Sequence, residues 1–133
     1  MNGPFSWMYH HIYADCQRWK LENVEGLPSD VYTIANQLKD FQGRTLYITA
    51  DDPPKEKSAL YLEEKQTPSG KISKTQLWRV FQDHNGSAAN ARIQNYTYKT
   101  YVMDAPSDRS KPVQLYAWDG NRHKNQLYYF DLN

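Results

Sequence analysis

Several polar and aromatic side chains in the C-terminal third have the types and spacing of a set that binds hydroxyl groups. Asp104 ends the run "TYVMD", Gln114 and Tyr116 stand two apart in "VQLYAW", and Asn125 directly precedes Gln126 in "NQLYYF". An ionised carboxylate only accepts hydrogen bonds, so Asp104 could take the donors of two adjacent hydroxyls. Side-chain amides donate and accept at once, which suits Gln114 and Asn125 to hydroxyl partners. Tyr116 supplies an aromatic face for the C–H side of a ring. Gln126 is better suited to holding the carboxylate and the neighbouring loop in position. Trp118, two residues beyond Tyr116, becomes the platform instead if the strand slips or bulges. The simpler reading of Asp104 is a turn former, because "DAPSD" is rich in turn residues.

Catalytic sets are harder to assemble. His10 and His11 are adjacent, so on a strand they face opposite sides and cannot chelate one ion. His84 and His123 fall in loop sequence, and Glu63-Glu64 lies in a solvated, charged run. Cys16, the single cysteine, lies beside a core motif and is expected to be inert rather than a thiol nucleophile. There is no glycine-rich phosphate loop. The expectation is a protein without catalysis, metal or cofactor.

The bulk properties narrow the partners. The 133 residues suffice for one ordinary domain and one core. A net charge of +1, with the charges dispersed, argues against nucleic acid or an anionic membrane. No apolar run approaches membrane-spanning length, so no membrane insertion is expected. The start, "MNGPFSWMYH", has neither a basic n-region nor an apolar h-region, which points to a cytoplasmic location; secretion stays open if the N-terminus is truncated. Two glycosylation sequons occur, at Asn85 and Asn95.

The elements that must position these residues are short strands. Eight β-rich runs stand at 31–36, 45–50, 59–64, 76–81, 91–96, 100–105, 113–118 and 126–132, separated by turn-rich segments such as "DDPPKEK", "TPSGK" and "APSDRSKP". Helical periodicity is weak. The pattern predicts an all-β protein.

A repeat runs through it. Gln followed two residues later by an aromatic occurs at 17–19, 76–78, 114–116 and 126–128, and the interval from Gln17 to Ile34 equals that from Gln76 to Ile93, 17 positions. Each Ile is followed two residues on by Asn, Asn36 and Asn95. Matched motifs at equal offsets indicate tandem duplication of a unit of about four strands. Taken singly, each Gln-x-aromatic is explained by architecture: the aromatic packs in the core and the Gln satisfies loop backbone.

With these motifs the chain resembles the ricin B-type lectins, whose three repeats each carry a Gln-x-Trp near the end. "SWMYHHIYADCQRWKL" is similar to the corresponding segment of fungal intracellular members. The resemblance implies a β-trefoil of three pseudo-repeats, partial at 1–28, then 29–84 and 85–133, with the opening strands of the first repeat absent. It implies a lectin that binds galactose or N-acetylgalactosamine-type glycans through Asp104, Gln114, Tyr116 or Trp118, Asn125 and Gln126. The second repeat reads as having lost its site, with Thr49 or Ala50, Leu60, Leu62 and Thr75 at the matching positions; Asp51 or Asp52 restores a carboxylate only under a register shift. The first keeps Trp7 but has Cys16 in the Asn slot. An incomplete first repeat leaves an open edge, so a homodimer covering it, or low stability, is expected. The alternative is a trefoil that inhibits proteases through loops such as "DDPPKEK" and "TPSGKISK", its Gln-x-aromatic motifs purely structural.

Overall fold

The computed structural model describes residues 19–37, 42–82, 91–108, 110–120 and 126. The residues before 19, including Trp7, His10, His11, Cys16 and Gln17, lie outside that description, as do Asn85, His84, His123 and Asn125. Within it the protein is all-β, with two short 3-10 turns and no α-helix. No helix among the described residues is long and apolar enough to cross a membrane.

Among the described residues eight strands follow in chain order: β1 (Trp19–Asn23), β2 (Val31–Asn36), β3 (Tyr47–Thr49), β4 (Tyr61–Glu63), β5 (Trp78–Gln82), β6 (Ala91–Asn95), β7 (Tyr101–Asp104) and β8 (Gln114–Ala117). Seven of the eight β-rich runs each hold one of β2 to β8. The last run lies outside the described residues apart from Gln126. β1 begins at the aromatic of the first Gln-x-aromatic motif. All pairings are antiparallel, in the order β4-β3-β2-β5-β6-β7-β8, with β1 added to β2.

The pairing register recurs between the two stretches that carry the matched motifs. Trp19 pairs with Asn36 and Leu21 with Ile34. In the next unit Trp78 pairs with Asn95 and Val80 with Ile93. The following pairing repeats too, Ala35 with Tyr47 and Gln94 with Val102. The hairpins then match step for step: Ile48 with Leu62 and Thr49 with Tyr61 in one, Met103 with Leu115 and Asp104 with Gln114 in the other. One alignment of the two units satisfies all of these pairs. Chance similarity between two short motifs would not carry through four strands.

Side chains alternate across a strand, so each hairpin has a core face and an outer face. Ile48, Leu60, Leu62, Met103, Val113 and Leu115 join Ile34, Trp78 and Ile93 in a single buried cluster. Trp78 is completely buried, and its indole N–H donates to the Ile48 carbonyl at 3.1 Å, so the largest core side chain is also satisfied. Thr49, Tyr61 and Glu63 fall on the other face of the first hairpin; Asp104, Gln114 and Tyr116 fall on the other face of the second. The candidate residues thus share one face because the apolar ones take the opposite face.

The two units also touch directly. The segment leading into β4 runs alongside β8: Ala59 bridges Gln114, Leu60 N donates to the Val113 carbonyl at 2.9 Å, and Leu115 N donates to the Ser58 carbonyl at 2.9 Å. Asn95, the acceptor residue of one sequon, is fully buried, and its side-chain oxygen accepts from Thr97 N at 2.9 Å and Tyr98 N at 2.8 Å. Its amide is a structural turn cap and is inaccessible for glycosylation in the folded chain.

Candidate functional site

Asp104 is the last residue of β7 rather than part of a turn, and Gln114 opens β8 directly across from it. The Gln114 amide donates to one carboxylate oxygen of Asp104 at 3.2 Å. The Gln126 amide donates to the other oxygen, also at 3.2 Å. Asp104 is only 8% exposed and Gln126 only 2%. A nearly buried carboxylate needs such donors, since an unpaired one would be strongly destabilising. Each oxygen has accepted one bond, and a carboxylate offers about four acceptor positions. Two amides therefore fix the direction of the group while leaving it capacity to accept from a ligand.

Tyr116 follows two residues after Gln114 on the same face and is half-buried, positioned by its pairing with Val102. Trp118 lies just past the strand, its backbone N–H donating to the Thr100 carbonyl at 2.9 Å. Its ring is covered on one side by the guanidinium of Arg92, 4.3 Å from the centroid. Arg92 itself is buried. This stacking occupies one face of the Trp118 ring, whereas Tyr116 shares its face of β8 with Gln114. Sequence reasoning misses Arg92, whose signal is a cation at an alternating position inside the apolar run "ARIQNY". Of the six candidates, then, Asp104, Gln114 and Gln126 are bonded together, Tyr116 follows on the same face of β8, Trp118 lies past the other end of the hairpin, and Asn125 lies outside the described residues.

The β3–β4 hairpin carries the same frame with different chemistry. Gln76 is fully buried, and its amide N–H donates to Thr49 Oγ1 at 3.0 Å and to the Glu64 carbonyl at 2.9 Å. Its side-chain oxygen accepts from Gln66 N at 2.8 Å. In Gln126 the corresponding oxygen, Oε1, is buried with no partner among the described residues. Thr49 thus occupies the Asp104 position, and the register corrects the two equivalences on β4 by one residue. Tyr61 and Glu63, not Leu60 and Leu62, correspond to Gln114 and Tyr116. The two leucines match Val113 and Leu115 and belong to the core. Neither nearby aspartate substitutes for Thr49. Asp52 accepts from the Tyr98 hydroxyl and lies 3.6 Å from the Lys74 ammonium. Asp51 is engaged with Tyr61, whose phenol is pushed up to about 12 by burial first, then by the charges of Asp51 and Glu63.

A depression of about 530 Å³ lies along this second hairpin, walled by Arg44, Tyr61, Glu63, Glu64, Lys65 and Gln66. Its polar groups are largely taken up internally. Arg44 pairs with Glu64 at 3.0 Å, Lys65 sits 5.1 Å above the Tyr47 ring, and the Gln66 amide donates to Glu63. Its carboxylates, Glu63 and Glu64, are less buried than Asp104, and neither is held by two amides among the described residues. No group of acidic, His or Cys side chains among the described residues is arranged to hold a metal ion. The chain matches no known family model and no curated protein.

Proposed function

We propose that the protein is a carbohydrate-binding lectin of β-trefoil architecture, without catalysis, whose working site is the outer face of the β7–β8 hairpin. The observation that carries this reading is the Asp104 carboxylate held from both sides by the Gln114 and Gln126 amides. A purely structural Gln needs no carboxylate partner, as the Thr49–Gln76 pair demonstrates. A directed acceptor beside a half-buried Tyr116 suits vicinal hydroxyls on a ring whose other side is apolar. Galactose and N-acetylgalactosamine termini present such hydroxyls, and the sequence resemblance points to the same glycans.

The loops that would serve a protease inhibitor weigh against that alternative. Substrate-like inhibition needs an extended segment. In the "DDPPKEK" loop Pro54 is buried, Ser58 N donates back to the Lys55 carbonyl at 3.0 Å and Lys57 has a φ of 66°. In "TPSGK" Gly70 N donates back to the Thr67 carbonyl at 3.1 Å. Both segments are folded turns. A glycan array run beside a protease panel on one sample tests the proposal. Galactose-type hits that vanish in Asp104→Ala support it; protease inhibition without glycan hits overturns it.

A further inference from the structure

Where the second repeat borders the third, the β-ladder has a bulge. Lys57 N donates to the Leu115 carbonyl at 2.7 Å, while Leu115 N donates to the Ser58 carbonyl at 2.9 Å. Two residues of one segment thus face a single residue of β8, flanked by Gln114 and Tyr116. Such a bulge often places its first residue in the left-handed region, a position glycine fills freely. Here that residue is Lys57, with φ of 66°. Lysine has no local hydrogen bond to offer in compensation, unlike Asn or Asp at such positions. The side chain is exposed and makes no ion pair among the described residues. A strained, unpaired cation fixed by backbone bonds next to a candidate site is a reason to look for its partner in the ligand.

We infer that Lys57 sets the ligand preference of the β7–β8 site, favouring a galactose-type saccharide that carries an anionic substituent beside the ring anchored at Asp104. This rests on the carbohydrate reading above. The ring hydroxyls are held by Asp104 and Gln114, and the substituent, a sulfate or a carboxylate, meets the Lys57 ammonium across the bulge. Neutral galactosides bind without that contact, so Lys57 governs discrimination and Asp104 governs binding.

Titration calorimetry with lactose, sulfated lactose and sialyllactose separates these roles. At low salt the wild-type protein should bind at least one anionic sugar about fivefold more tightly than lactose, as expected for one exposed charge pair. The preference should fade as salt approaches about 1 M, where screening acts within about 3 Å. Preference for only one of the two anions supports the inference and names the anion. Lys57→Gly relieves the backbone, so folding is not at risk; it should keep lactose affinity and lose the preference, and Lys57→Glu should reverse it. Equal affinity for all three sugars in the wild type, or a preference that survives in Lys57→Gly, overturns the inference alone. Failure of all three sugars to bind overturns the carbohydrate reading, and the inference with it.

Discussion

Gln76 and Thr49 are joined by a buried hydrogen bond of 3.0 Å although they stand 27 positions apart in the chain. The same Gln holds the Glu64 carbonyl and the Gln66 N–H, so one side chain ties together the end of β3, the exit of β4 and the turn before β5. This is an architectural use of the Gln-x-aromatic motif. Gln76→Ala removes three bonds at a site closed to water. The partners left unpaired should cost about 2–4 kcal/mol. A urea midpoint lowered at unchanged slope would establish it; a loss below about 0.5 kcal/mol would deny Gln76 that role.

Asp104 makes the corresponding bond to Gln126 with a charged acceptor. Asp104→Thr gives the β7–β8 hairpin the residue found at the matching place in β3–β4: Thr49 shows that a hydroxyl serves the frame. The variant should keep most of its stability yet lose detectable glycan binding, with about 1–3 kcal/mol removed from a weak interaction. Thr75→Ala, in the second repeat, should leave binding unchanged. Calorimetry on both variants decides, and full affinity in Asp104→Thr would move the site elsewhere.

Much of this frame is legible in the chain. The alternation and turn residues locate β2 to β8, and the equal Gln–Ile intervals reflect the Trp78–Asn95 and Trp19–Asn36 pairings. The hairpin register of the second repeat is not legible. The loops between β2 and β3 and between β6 and β7 differ in length, so spacing from Ile34 and Ile93 cannot align Thr49 with Asp104. A one-residue slip exchanges the faces of a strand. Such a slip puts Leu60 and Leu62, which are core, where Tyr61 and Glu63 belong. The Lys57 bulge and the Arg92 stack depend on contacts between distant segments, and no local pattern encodes them.

Tyr61 gives the fold an alkaline limit. Burial and the charges of Asp51 and Glu63 raise its phenol from 10.0 to about 12, so the folded state keeps the proton that the unfolded chain releases. The stabilisation is complete below pH 10 and is lost as pH rises from there toward 12. Because the side chain is only partly buried, screening by solvent reduces the contribution to about 1 kcal/mol. Tyr61→Phe cannot ionise, so its stability relative to wild type should rise by that amount across the same window. Parallel denaturation curves at all pH values would show that Tyr61 is not coupled to folding.

The aromatic partner of a bound sugar is the last choice to be tested. Arg92 covers one face of the half-buried Trp118 at 4.3 Å, and such a pair is worth about 0.5–1 kcal/mol where solvent reaches it. Tyr116 shares the outer face of β8 with Gln114, whose amide orients Asp104. Tyr116→Ala should therefore abolish glycan binding with a small stability change, because the ring is only half-buried. Trp118→Phe should retain affinity within about threefold while weakening the Arg92 stack and lowering stability by about 0.5–1 kcal/mol. The indole also reports on its own role: the chain has four tryptophans, so if Trp118 is not the platform, saturating galactoside should change the emission of wild type and Trp118→Phe alike. Binding that survives in Tyr116→Ala and fails in Trp118→Phe would reverse the assignment and require Arg92 to support the platform from behind.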